Sequence, residues 1–356
     1  AHGASGGTAR ACIAFGAAGP TRPRRPCAEH ISAMACPQRK GGEATPRSSM
    51  ESTASALSLQ SSTPTSASEG ARSARGLHPT AGLSVRWKCG ARLAGGSYGC
   101  IYKAFNLTTG QIFAAKALTM KTVLEGSAIK TQIAERLAML ESVRHPNIVE
   151  HMGHEFADGS LFVYLEFVGN GSLASMLREF GPLRGPMLGV AAAGLMRGLD
   201  YLHSREPPMV HGDVTSSSIL VGDGWRLQLQ CFQCSRHVVS QPDFASLESL
   251  ARMAPEVYQG RAADKTKADV WGAGCVITEM ATAERPWAGA HLDEIVLALG
   301  GEAPTGPPLP PALSPSARAC AAACLSPKEG SRPSAAEMLR MPCLRDAEKR
   351  RRPGGW

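Results

Sequence analysis

The chain changes character at Gly169-Asn170-Gly171. Before this tripeptide the apolar residues fall in short strand-like runs, and after it they recur at helical spacing. Leu93–Ala104 and Gln111–Leu118 read as strands, with Asn106–Gly110 as the turn between them. Residues 127–143 carry Ile129, Ile133, Leu137 and Leu140 on one helical stripe. Leu161–Phe167 is a short apolar strand. Beyond the tripeptide, helices are expected over 172–179, over 187–204 and through Asp269–Ala283. A small strand-rich part followed by a larger helical part buries its apolar faces best as an α+β molecule of two lobes, with a cleft between them.

The first 85 residues are different in kind. They are Ala, Gly, Ser, Thr and Pro with almost no periodic apolar residues, and segments such as Ser48–Ser68 bury too little surface to offset chain entropy. Three parts are therefore expected: a disordered tail over 1–85, a folded domain over 86–344 and a basic tail over 345–356. Charge divides the same way. Residues 1–85 hold nine Lys/Arg against four Asp/Glu, the last twelve residues hold five against two, and 86–344 hold 24 of each. A balanced central domain lacks the basic face that nucleic-acid binding needs. The longest apolar run, near Met187–Met196, is too short to span a membrane. Eleven cysteines without framework spacing read as reduced thiols and a cytoplasmic setting. Cys231-Phe232-Gln233-Cys234 has no second C-x-x-C to complete a zinc site.

The chemistry-bearing segments are ordered along the chain. Leu93-Ala94-Gly95-Gly96-Ser97-Tyr98-Gly99-Cys100-Ile101 is a glycine-rich turn between strands, a placement that lets backbone approach phosphate closely. A dinucleotide-binding loop would instead run into a helix. Phe113-Ala114-Ala115-Lys116 lies on the next strand. With Val143-Arg144-His145-Pro146-Asn147-Ile148-Val149, Leu165-Glu166-Phe167, Tyr201-Leu202-His203, Met253-Ala254-Pro255-Glu256, Ala268-Asp269-Val270-Trp271-Gly272 and Arg332-Pro333-Ser334, these residues resemble the eukaryotic protein kinases, and among them the mitogen-activated protein kinase kinase kinases. The resemblance covers 86–344 and implies the two-lobed kinase fold.

Carried over by position, the resemblance implies a nucleotide site of Leu93, Gly96, Gly99, Ile101, Ala114, Lys116, Leu165, Glu166, Val168 and Leu220. Lys116 would meet the α and β phosphates. Ile101, Ala114 and Leu220 would sandwich the adenine above Leu173, and the backbones of Glu166 and Val168 would meet its edge. Leu140, His151, Phe232 and His211 would stack as an internal spine anchored by Asp269. Glu256 and Arg332 would form a buried ion pair.

The same resemblance exposes departures. The family's catalytic loop reads H-R-D-x-K-x-x-N and its metal loop D-F-G. Here Gly212 replaces Arg, Thr215 replaces Lys, Ser218 replaces Asn, Cys231 replaces Asp and Gln233 replaces Gly. Asp213 is the catalytic position that persists. Mg²⁺ prefers hard oxygen ligands, so no metal set is expected. The helix position that should pair with Lys116 aligns with Arg136; Glu135 lies one residue earlier, and a one-residue insertion before His145 would restore it to that position. The resemblance and its departures together imply a kinase-like domain that keeps an ATP pocket and binds ATP weakly and without Mg²⁺. Such a domain is expected to be impaired in phosphoryl transfer and to act as a scaffold or allosteric partner of other kinases. The alternative is an active serine/threonine kinase with atypical metal ligation. Partners would be other kinases of a signalling cascade, reached through the surface around Trp271–Trp287.

Overall fold

The computed structural model describes residues 86–96, 99–119, 127–157, 160–231 and 247–350. The readings made for residues 1–85, for Ser97 and Tyr98, for Phe232–Cys234 and for 351–356 lie outside the described residues.

Five antiparallel strands form one sheet in the order β1-β2-β3-β5-β4: β1 Trp87–Gly96, β2 Gly99–Asn106, β3 Ile112–Thr119, β4 His151–Ala157 and β5 Ser160–Glu166. Side chains alternate across a strand, so each face has its own packing. On the outer face Trp87, Phe113 and Tyr164 meet edge-on, with ring centroids 5.4–6.2 Å apart. On the inner face Ala114, Leu118, Leu161, Val163 and Leu165 pack into one core with Ile133, Leu137 and Leu140 of helix α1, Ser127–Glu141. The Asn106–Gly110 turn forms because the Asn106 side chain accepts the N–H of Thr108 at 2.9 Å and of Thr109 at 3.0 Å.

The stretch Leu93–Ala104, read as a strand, spans the end of β1 and most of β2 across their glycine-rich connection. Strand β4 is not apparent in the sequence. With His, Gly and Glu among few apolar residues it lacks alternation, and it takes its conformation from pairing with β5.

After the sheet come α2 Leu173–Phe180, α3 Pro186–His203, a hairpin of β6 Ile219–Gly222 and β7 Arg226–Leu229, α4 Leu247–Leu250, α5 Pro255–Tyr258, α6 Lys265–Thr282, α7 Leu292–Gly300, α8 Pro315–Cys324, α9 Ala335–Arg340 and α10 Pro342–Arg350. Ser172 caps α2 by accepting the Ser175 N–H, and Gly181 ends it at φ 78°. Helix α6 is buried without interruption from Asp269 to Ala281, which makes it the centre of the helical part. This is the two-lobed arrangement expected from the change at Gly169–Gly171. Among the described residues no helix is long and apolar enough to cross a membrane.

One expectation is corrected. Cys320 of α8 and Cys343 of α10 are joined in a disulfide, so the thiols are not all reduced. The pairing comes from the packing of two helices 23 residues apart in sequence, which spacing alone does not display. Among the described residues Cys89, Cys100, Cys231, Cys275 and Cys324 form no disulfide.

The strongest polar brace in the helical part is the fork between Arg332 and Glu256, with Nη1–Oε1 at 2.5 Å and Nη2–Oε2 at 3.0 Å. Arg332 is 1% exposed and also donates to the carbonyls of Ser326 and Lys267, while its guanidinium lies 5.0 Å from the Trp271 ring centre. Removing one member strands the other's charge in the core. Arg332→Ala is expected to lower the unfolding free energy by about 3–5 kcal/mol. Arg345→Ala, which breaks the exposed pair with Asp346, should cost no more than about 1 kcal/mol. Equal losses in denaturant titrations of the two variants would contradict the assigned strength of the brace.

Candidate functional site

The register of the sheet gathers the expected nucleotide residues on its inner face. Ile101 lies opposite Lys116, Ala114 opposite Leu165, and Lys116 opposite Val163. Ala114, Lys116 and Leu165 are buried, and Ile101, Val168 and Leu220 pack partly buried against the same core, beneath which Leu173 is fully enclosed. Leu220 is placed by β6, which bridges to Ser172. Leu93 sits where the β1–β2 register slips between Arg92 and Ala94, and it is 45% exposed. Gly96 pairs with Gly99 at the tip of the hairpin. Gly99 has φ 151°, and a Cβ there would lie 2.1 Å from the Ala117 carbonyl oxygen, so only glycine fits. The Glu166 N–H donates to the Glu150 carbonyl at 3.0 Å. Of the Glu166 backbone, only the carbonyl can meet a base edge.

Below this face lies the loop that carries Asp213. The Asp269 carboxylate of α6 accepts the backbone N–H of His211 at 2.8 Å and of Gly212 at 2.7 Å, and it lies 2.8 Å from His203 Nε2. Gly212 has φ 79°, a left-handed conformation that costs a residue with a side chain about 1 kcal/mol or more. The replacement of Arg by Gly therefore removes a functional side chain while relaxing the backbone. Further along, the Ser218 hydroxyl donates to the Asp213 carbonyl at 2.6 Å and accepts the Thr215 N–H at 3.0 Å. Ser216 Oγ donates to Glu279 Oε1 at 2.6 Å, and Arg252 Nη2 lies 3.3 Å from Glu279 Oε2.

Two findings bear on a divalent metal. Cys231 is 4% exposed, and burial pushes its thiol up to about 12, so it is a neutral S–H at pH 7. The Ser218 hydroxyl is bound within its own loop. Cys231 offers no hard oxygen in place of a carboxylate and the Ser218 hydroxyl is engaged in its own loop, so Asp213 is left as the carboxylate of the set. The residues present do not fit the metal that the fold family implies.

Helix α1 supplies a further departure. Glu135 faces solvent, while Arg136 is half-buried and its Nη2 donates to the Val210 carbonyl at 2.8 Å. The sequence leaves open which of Glu135 and Arg136 turns inward, and Glu135 is the exposed one. Glu279 is a residue that sequence reasoning missed, although an acid inside an otherwise apolar helix is itself a signal of a polar partner.

Comparison with known proteins agrees with this geometry. The family profile described as "Protein kinase domain" matches residues 87–344. The chain belongs to the protein kinase domain family. It is similar to mitogen-activated protein kinase kinase kinase 3 of Arabidopsis thaliana, at 30% identity over 92% of this chain and 54% of that protein. It is also similar to mitogen-activated protein kinase kinase kinase YODA of the same plant, at 31% over 79% and 32%, and to mitogen-activated protein kinase kinase kinase 1 of Homo sapiens, at 30% over 73% and 18%. The kinase domain thus has relatives among these proteins, and the chain spans about half or less of their lengths.

Within this kinase domain the buried histidines give a pH signature. Burial, then the neighbouring His154 and Arg144, lowers His151 from 6.5 to about 4. Burial also lowers His211. The unfolded chain therefore binds more protons than the native one between about pH 6.5 and 4. The His151 contribution is complete above pH 6.5 and is lost as pH falls toward 4, by an amount on the order of 3 kcal/mol. Urea unfolding across this window should show stability falling with pH, and a shallower fall in His151→Phe. Identical slopes for both proteins would contradict the assignment.

Proposed function

We propose that this kinase domain binds adenine nucleotide without using it efficiently, and that its product is a protein surface rather than a phosphorylated substrate. The observation that carries the reading is the pair of replaced metal positions, a buried neutral thiol at Cys231 and an internally bonded hydroxyl at Ser218. Phosphoryl transfer depends on positioning and on neutralising charge, chiefly by the metal. Each 1.36 kcal/mol of lost stabilisation is tenfold in rate, so losing two ligands removes several orders of magnitude.

The base end supports nucleotide binding. Ile101, Ala114, Leu165, Val168 and Leu220 present an apolar enclosure, Lys116 stands on the same face, and Gly96 and Gly99 place no side chain where the hairpin turn begins and ends. ATP, when bound, brings the phosphates that kinase chemistry transfers. This chain's residues enclose the base, and Asp213 remains placed to orient a hydroxyl. That retained placement favours a second reading, a slow serine/threonine kinase with unorthodox metal ligation.

In the first reading the domain, residues 86–344 between a tail over 1–85 and a basic end over 345–356, works in the cytoplasm as a scaffold or allosteric partner of other kinases. The printed names of its relatives, mitogen-activated protein kinase kinase kinases, suggest the cascade. The braces that hold the large lobe rigid, Glu256–Arg332 and the Asp269 clamp, supply a fixed docking shape.

The full chain is expected to transfer no measurable radiolabelled phosphate from Mg²⁺·ATP to generic protein substrates. The combination Cys231→Asp, Ser218→Asn and Gln233→Gly should raise transfer from that baseline. ATP should raise the melting temperature of the wild type and fail to do so in Lys116→Ala. Wild-type turnover that vanishes in Asp213→Ala would install the second reading in place of the first.

A further inference from the structure

We propose that the Cys320–Cys343 bond is a modification site, opened by thiol–disulfide exchange with a dithiol reductant, and that its opening frees helix α10 from the domain. Nucleotide binding plays no part in it.

The two helices joined by the bond are held unequally. Helix α8 starts at a cap in which Ser314 Oγ accepts the Ala317 N–H at 3.3 Å, and its Cys320, Ala321 and Cys324 are buried. Helix α9, between the two partners, carries a capping box of Ser334 and Glu337 and follows directly on the Arg332 fork. Helix α10 has nine residues, too few to be stable on helical hydrogen bonds alone. Among its described side chains Leu344 is the one that is buried. Arg345 pairs with its exposed neighbour Asp346, a contact that adds little. The bond is therefore the covalent tie on the most weakly held of these helices.

Cys343 is half-buried whereas Cys320 is 1% exposed, so an external thiolate meets the Cys343 sulfur first. That attack forms a mixed disulfide on Cys343, breaks its bond to Cys320 and expels Cys320 as a thiolate, which takes a proton from solvent. The second thiol of the reductant then attacks the mixed disulfide, releasing Cys343 as a thiol and the reductant as its own disulfide. Two protein sulfurs are reduced and two reductant sulfurs are oxidised. Cys324 lies one turn further along α8, its Sγ 3.8 Å from Met338 Sδ. Burial pushes its thiol up to about 12, so it stays an S–H and does not divert the exchange. With the bond open, Leu344 is left as the buried anchor of α10, and opening there becomes easier than opening of the core. The Arg332–Glu256 fork and the Asp269 clamp lie on other elements and keep their geometry.

The test is amide hydrogen exchange of the full chain, read by mass spectrometry with and without excess dithiothreitol, while alkylation after quenching locates the thiols. Reduction should make Cys320 and Cys343 alkylatable and speed exchange in Pro342–Arg350 by about tenfold or more, leaving Lys265–Thr282 unchanged. Cys343→Ser should show the fast exchange in α10 without reductant, and dithiothreitol should add nothing to it. Slow exchange in Lys265–Thr282 shows that this variant is folded. A bond that survives excess dithiothreitol overturns the exchange site. Equal α10 exchange in the oxidised and reduced chains overturns its release. Acceleration in Lys265–Thr282 as large as in α10 makes the bond a brace of the whole lobe and overturns the local release as well.

Discussion

The Asp269 carboxylate is the interaction on which the arrangement of the cleft depends. A single side chain on the most deeply buried helix takes the backbone N–H groups of His211 and Gly212 and lies against His203 at the end of α3. Ten residues on, Glu279 of the same helix holds Ser216. Together the two acids fix the start and the middle of the loop around Asp213. Neither contact involves a residue whose identity matters for phosphoryl transfer, because backbone amides and a serine hydroxyl suffice. The loop can therefore keep its shape while its chemical groups change. Gly212 shows the consequence directly, since its positive φ is imposed by the clamp and glycine adopts it with less strain than the arginine of the family pattern.

The groups that persist and the groups that differ separate along the same line. Glu256 and Arg332, Asp269, and the apolar residues that close the base pocket are buried and answerable to packing. Cys231, Ser218 and Arg136 occupy positions answerable to charge. The first two present a neutral thiol and a hydroxyl already bonded to its own loop, and the third presents a cation anchored on Val210. Under the proposed reading, intact braces beside altered chemical groups make the domain a rigid binding module. The proposed impairment in phosphoryl transfer follows from the same pattern, since developing negative charge there must be met by a firmly held metal.

Much of this is legible in the sequence, and the limits have physical causes. The two-part division comes from the switch in apolar period near Gly169–Gly171, because period reports local geometry directly. The inner-face grouping of Ile101, Ala114, Lys116 and Leu165 comes from strand alternation once the register is known. Strand β4 is not legible, since His151–Ala157 has no alternation of its own and is a strand by virtue of β5. The Cys320–Cys343 bridge is not legible because it depends on how α8 and α10 pack. The landing of Arg136 on Val210 depends on a side-chain rotamer and on a backbone 74 residues away, which no pattern in one chain encodes.

Under the proposed reading, nucleotide binds in this cleft without recruiting a divalent metal. Electron paramagnetic resonance of Mn²⁺, whose free ion gives a sharp signal that is lost on binding, measures this directly. In a solution of Mn²⁺ and ATP, adding the full chain is predicted to raise the free Mn²⁺ signal, because the protein withdraws metal-free nucleotide. A fall in that signal, reversed by Asp213→Ala, would mean that the protein assembles a ternary metal–nucleotide complex, and would contradict a metal-excluding site.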